Sequence, residues 1–237
     1  MERPNKFLRA FIVFGIALLL VYLAWGLLFW VSYRPERSGA FLWGAYHVHS
    51  TLSDGVGSPE EIARQAKAAG VSLVLLTDHS EPDREAPVLR RVLDGVHVIG
   101  GSEDSIVEGR ITFFGADQIP LFKLPPFPPD ALEDIREWNG FPVIAYPVDA
   151  RYPWGYWEKD LQPGGIEIFN LSTHMIRMNF WEKTATLLGY PFSRHSLVRY
   201  LAPPLDELNK WDFLTRQGKT FCFSALNTHG GGLVAFQ

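Results

Sequence analysis

His47 and His49 stand two residues apart at the end of an apolar stretch, with Asp54 shortly after. Asp78 and His79 follow the next apolar run, and Glu103 and His229 add a further acid and imidazole. Neutral imidazole nitrogens and carboxylate oxygens are the donors that zinc, manganese and iron accept, and softness does not separate these metals. In α/β sheets, active sites gather at the carboxyl ends of strands. A His-x-His pair on a strand directs both rings to one side, because side chains alternate with period two. The alternative is a pair of histidines lining a sheet face with ordinary hydrogen bonds, but the second cluster favours a cation. A site of this kind acidifies bound water and clamps the attacking and leaving oxygens of a phosphoryl group.

Residues 41–48 read as the first strand. Ser58, Pro59 and Glu61 then carry a capping box with proline in the first helical turn. Ile62, Ala66 and Ala69 form that helix's narrow apolar face, and Gly70 ends it. The continuous apolar run 71–77 reads as a buried parallel strand, so a βαβ unit places both ligand clusters at strand ends. More apolar runs follow at 96–100, 111–115, 141–146, 166–169 and 220–223. Pro125, Pro126, Pro128 and Pro129 make 124–129 a loop before a helix near 130–138. The aromatic stretch 152–157 packs locally, stacks on a ligand or rests on a membrane surface. Glu167 ends a strand facing the same mouth, as a ligand-orienting acid or a simple strand-end acid. Asp78 is expected to cap the following turn. His174 and His195 lack partners at ligand spacing and read as surface or core residues. Cys222, the single cysteine, reads as core filler.

These motifs resemble the polymerase and histidinol phosphatase (PHP) family. The first is His47, His49, Ser50, then Ser53, Asp54, Gly55. The second is Thr77, Asp78, His79. Gly101 and Glu103 match a Gly-x-Glu, and Asn227 and His229 a final Asp-x-His. The resemblance runs over about 41–229. It implies a distorted (β/α)7 barrel with up to three divalent cations at its mouth, hydrolysing a phosphoester. Carried over, His47, His49 and Glu103 form one metal site, with Asn227 in place of an anionic ligand. Asp54, His79 and His229 form another. Glu103 links to a third site whose histidines correspond to Arg110 and Tyr146. Arginine has no lone pair to donate, and tyrosine ligates only as phenolate, so one or two ions are expected. Arg110 stands in for the missing cation by pairing with Glu103 or gripping a phosphate; Arg110 and Glu103 are thus the catalytic candidates. The implied substrate is a phosphorylated small molecule or nucleotide. The alternative is a catalytically weakened domain that binds a phosphorylated ligand or serves as a scaffold.

The chain has 237 residues, of which 47% are hydrophobic and 20% charged, an ordinary globular composition with a slight apolar excess. The excess sits in residues 10–33, which carry no charge and as a helix span roughly 36 Å, enough to cross a bilayer core. Trp25, Trp30 and Tyr33 mark its far end as an aromatic belt. Arg3, Lys6 and Arg9 precede it. The expected organisation is a basic tail (1–9), a transmembrane helix (10–33), a linker (34–40) and a hydrolase domain (41–237). That domain lies outside the cytoplasm on a single-pass anchor. A cleaved signal peptide is the competing reading. A barrel of this kind needs closing structure after His229, so a C-terminally shortened domain is also an open reading. A net charge of −4 gives no support for a standing nucleic-acid partner.

Overall fold

The computed structural model describes residues 6–28, 42–79, 88–117, 124–158, 161–193 and 196–230. The expected linker (34–40), Trp30, Tyr33, His195 and the residues after Gly230 lie outside these. The chain divides into two compact units: 1–36 with 178–201, and 37–177 with 202–237.

In the first unit, helix α1 (Lys6–Leu28) is apolar almost throughout. An uninterrupted apolar surface leaves nothing to distinguish one face, and its side chains are nearly all exposed. It is long and apolar enough to cross a membrane, with a mean hydropathy of 2.5 over its most apolar window.

The second unit is built on strands. The first βαβ unit forms as its punctuation dictates. β1 (Gly44–Val48) leads to helix α2 (Pro59–Ala68) and returns as β2 (Leu73–Leu76). The Ser58–Glu61 capping box is present in full, and Ile62, Ala63 and Ala66 bury against Val74, Leu76, Val96 and Val98. A short strand β3 (Asp78–His79) continues the chain. Then come β4 (Arg90–Leu93), β5 (Val96–Ile99), β6 (Gly101–Ile106) and β7 (Gly109–Phe114). Helix α3 (Pro128–Glu137) precedes β8 (Phe141–Ala145) and β9 (Gly165–Asn170). Helix α4 (Leu171–Arg177) follows β9, and helix α6 (Leu205–Thr215) precedes β10 (Phe221–Ala225); helix α5 (Phe180–Gly189) belongs to the first unit.

The strands form two sheets, β1-β2-β5-β4 and β10-β9-β8-β7-β6-β3. Backbone bonds join them where β1 runs beside β10: Leu226 N–H to Tyr46 O (3.0 Å), Thr228 N–H to His47 O (3.3 Å) and His49 N–H to Thr228 O (2.9 Å). A regular run of βα units is not what forms among the described residues. β4–β5 and β6–β7–β8 are antiparallel. The reason is local. Asp94 (φ 51°) and Gly95 (φ 84°) make a two-residue turn with both residues left-handed, the conformation that closes a tight hairpin. Val107 and Glu108 close the next hairpin, from Ile106 to Gly109.

Four further expectations change. The first strand begins at Gly44, not at residue 41. Pro128 and Pro129 do enter regular structure, as the opening residues of α3, where a missing N–H costs nothing. Cys222 is exposed rather than core filler. Asp78 does not cap the turn after it; it is buried and holds the preceding loop, as described below. The aromatic stretch mostly packs. Trp154 is buried, donates to Tyr156 O, and accepts at its carbonyl from Trp157 Nε1 (2.8 Å).

Candidate metal centre

The carboxyl ends of β1, β3, β6, β9 and β10 bring the candidate side chains together. β1 is not a regular strand where it does so. Its register with β2 slips between Tyr46 and Val48, and His47 is left-handed (φ 62°). The period-two argument therefore holds only in outcome: a bulge, not simple alternation, aims His47, and its ring still lies 5.4 Å from that of His49. Tyr146 (φ 51°) and Asn227 (φ 48°) are left-handed as well. Such backbones in non-glycine residues cost on the order of 1–3 kcal/mol each and persist only where their surroundings fix them.

Glu103 is the hub. Its Oε2 lies 3.1 Å from His47 Nε2 and 3.2 Å from His49 Nε2, and its Oε1 accepts from Arg110 Nη1 at 2.7 Å. Burial opposes its ionisation, but His47, His49 and Arg110 outweigh that and hold the carboxyl well below the usual range. His47 is fully buried, and burial alone would favour its neutral form. Glu167, whose Oε1 accepts from His47 Nδ1 at 2.5 Å, and Glu103 outweigh the burial and push its pKa up to about 10. His49 goes the other way: burial dominates and lowers its pKa.

His49 also belongs to a second group. Its Nδ1 is 3.3 Å from Asp54 Oδ1, while His79 Nε2 and His229 Nε2 lie 3.6 and 3.2 Å from Asp54 Oδ2. Two donor sets thus emerge, each with its ligand atoms within 4.8 Å of one another: His47, His49, Glu103, and His49, Asp54, His79, His229. The loop carrying Asp54 is tied down by Asp78. That carboxylate accepts from Ser50 N–H (2.7 Å), Ser50 Oγ (2.8 Å) and Ser53 Oγ (2.6 Å).

The donors suit a divalent cation. Both ring nitrogens of His49, though buried, make no hydrogen bond, and neither does Asn227 Oδ1. Buried polar atoms are nearly always partnered, and these three face carboxylates and imidazoles rather than donors that would satisfy them.

Around Arg110 and Tyr146 the arrangement differs. The Arg110 guanidinium lies 4.0 Å from the Tyr152 ring centroid and 5.8 Å from that of Tyr146. Burial first, then Glu103 and Glu167, push the Tyr146 phenol up, which keeps it neutral. Its oxygen accepts from Asn227 Nδ2 at 2.7 Å. His174 lies apart, buried on Phe169 with its ring nitrogens against Asn170 O and Ala202 O.

Two contributors escaped the sequence reading. Asn170 donates to Glu167 Oε2 (3.0 Å), and its Oδ1 accepts from Thr173 N–H at the start of α4. An Asn before Leu-Ser-Thr is a helix N-cap signal that points to this position. Tyr152 stacks on Arg110 from a loop far along the chain, and no local signal reports that.

No protein-family model matches the chain. A "Probable phosphatase" of Shewanella frigidimarina is 33% identical over 131 residues, covering 45% of this chain and 50% of that protein; the chain thus spans half the length of this relative. The uncharacterized protein MJ1587 of Methanocaldococcus jannaschii is 30% identical over 139 residues, covering 52% of this chain and 79% of that protein. The chain belongs to the family of this archaeal protein. A Bifidobacterium adolescentis protein of solved structure, provisionally described as a metal-dependent phosphoesterase, aligns with a TM-score of 0.51. It is 11% identical, with 80% of this chain and 88% of that one covered; the likeness is one of fold.

Proposed function

We propose that the chain is a membrane-anchored, metal-dependent phosphoesterase of the PHP type, acting on a phosphorylated small molecule or nucleotide. The observation that carries the reading is the pair of donor sets sharing His49, whose ring nitrogens are buried without hydrogen bonds. His47, His49 and Glu103 hold one ion, with Asn227 Oδ1 beside them. Asp54, His79 and His229 hold another. Zinc, manganese or iron bound there supplies Lewis acidity to a phosphoryl oxygen and acidifies water.

The chain's own residues set the rest. Glu167 fixes the orientation of His47 through Nδ1. Glu103 keeps its carboxylate charged at the centre of the mouth. Arg110 occupies the place of a third ion: its guanidinium pairs with Glu103 Oε1 and keeps further N–H donors for a phosphate oxygen. Tyr152 and Tyr146 wall that guanidinium on its faces.

A weakened, ligand-binding domain is the second reading, and one observation favours it. Glu103 Oε1, the oxygen free to bridge a further ion, is already committed to Arg110. The test is elemental analysis of the detergent-solubilised full chain, together with hydrolysis of p-nitrophenyl phosphate and bis-p-nitrophenyl phosphate. One or two ions per chain with metal-dependent turnover supports the enzyme. Bound metal without turnover on either ester supports the binding domain. No metal after purification with zinc, manganese and iron overturns both.

A further inference from the structure

Helix α5 is amphipathic in the wrong sense for a soluble protein. Phe180, Trp181, Leu187 and Leu188 fall on one face, since positions i, i+1, i+7 and i+8 share a side of a helix. That face is turned outward: Phe180 is 71% exposed, Trp181 76% and Leu187 67%. The helix is nonetheless well built. Asn179 caps it through Trp181 N–H and Glu182 N–H, and Glu182 completes the capping box. The residues that pack are small and polar. Ser196 Oγ donates to Thr186 O at 2.9 Å, and Gly189 is buried against Ser196. The following 3-10 turn (Ser196–Tyr200) adds exposed Val198.

What α5 packs on identifies the medium its apolar face meets. Tyr22 of α1 donates its hydroxyl to Leu188 O at 3.0 Å, and its ring meets Phe192 edge-on at 4.9 Å. Gly26 lets the Phe192 ring approach α1, because a Cβ there would overlap it. Trp25 reaches Gly189 from the same end of α1. The exposed stripe of α5 is therefore continuous with the C-terminal end of an apolar helix, at the level of its Tyr22 and Trp25. Aromatic side chains of this kind concentrate at the boundary between headgroups and hydrocarbon.

We infer that α5 and its 3-10 turn form an interfacial platform, which lies in the bilayer surface beside α1 with Phe180, Trp181, Leu187 and Leu188 immersed. The inference rests on the anchor reading of α1. The platform gives the chain a second, shallow hold on the membrane in addition to the spanning helix.

The test uses the full chain in phosphatidylethanolamine–phosphatidylglycerol vesicles, in a Cys222→Ser background. Spin labels are placed one at a time at Trp181→Cys, Leu187→Cys, Leu20→Cys in α1 and Glu133→Cys on exposed α3. Collision with oxygen, which partitions into lipid, is compared with collision with a water-soluble nickel chelate. Labels at 181 and 187 should favour oxygen, as at 20, at a depth of about 5–10 Å below the headgroup boundary, while 133 favours nickel. If 20 favours oxygen but 181 and 187 behave like 133, the platform is wrong and the anchor stands. If 20 also favours nickel, the anchor reading fails and takes the platform with it. Protection of 181 and 187 from both reagents, with spin–spin broadening, identifies a second copy of the chain as the occupant and overturns the proposal.

Discussion

His47 and Glu167 set how the centre responds to pH. With a pKa pushed up to about 10, His47 carries a proton at neutrality, and a cation must displace that proton to reach Nε2. Glu103 stays ionised throughout this range and adds no competition. Affinity at this set should therefore rise with pH, by about tenfold per unit between pH 7 and 9, as expected when each ion bound releases one proton. Chelator competition at several pH values reads the slope, and titration calorimetry in buffers of different ionisation enthalpy counts the proton. Glu167→Gln removes the charge that makes His47 basic. Its affinity should fall about 10–100-fold at pH 9, the usual cost of losing a ligand's hydrogen-bonded carboxylate. At pH 7 the loss should be smaller, because proton competition weakens as well. Arg110 poses the opposite question. Its permanent charge beside Glu103 repels an incoming ion, so Tyr146→His alone should leave metal content unchanged, whereas Arg110→His with Tyr146→His should add an ion by elemental analysis. An unchanged count in the double variant would show that positions 110 and 146 do not correspond to ligand positions.

At the scale of elements, the loop after β1 decides whether Asp54 reaches its partners. Gly55 accepts no side chain there: a Cβ would overlap the His49 carbonyl, and its N–H donates to Ser50 O at 2.9 Å. Gly55→Ala should destabilise the domain by about 1–3 kcal/mol, the usual range for overpacking. It should also weaken the Asp54, His79, His229 set more than the set around His47. Metal titration alongside urea unfolding separates the two effects. The elements that carry strong local grammar were legible in the sequence. The Ser58 capping box, Gly70 after α2 and the apolar run before Thr77 each state their structure within a few residues. The donor residues were legible for the same reason, because they sit in short motifs. What the sequence did not disclose depends on partners far away. The bulge at His47 follows from the pairing of β1 with both β2 and β10. The stacking of Tyr152 on Arg110 follows from β8 bringing its loop beside β7. Asp94 and Gly95 did carry a hairpin signal, and the expectation of uninterrupted βα units passed over it.

The donor sets also hold the larger unit together, since their residues come from both sheets. His47 and His49 leave β1 in one sheet, while His79 and Glu103 lie on β3 and β6 in the other. A bound ion staples the two where only a few backbone bonds between β1 and β10 otherwise join them. At a hundredfold excess over Kd it should stabilise the fold by about 2.7 kcal/mol. For a domain of this size that is a rise in Tm of about 5–10 °C, reversed by a chelator and absent in His49→Ala. Placement in the cell follows from the other end of the chain. As a helix α1 is about 35 Å long, which exceeds the hydrocarbon thickness of about 30 Å. Only Lys6 and Arg9 within it are charged, both in its first turns, and Arg3 precedes them. Cationic flanks stay on the cytoplasmic side, which directs everything after α1 to the opposite side. In spheroplasts expressing the chain, added protease should therefore digest the domain that follows α1 while the membrane is intact, and an N-terminal tag should survive until lysis. A domain that survives with the tag until lysis would reverse this orientation. Recovery of the domain in the soluble fraction, free of α1, would replace the anchor with a cleaved signal peptide.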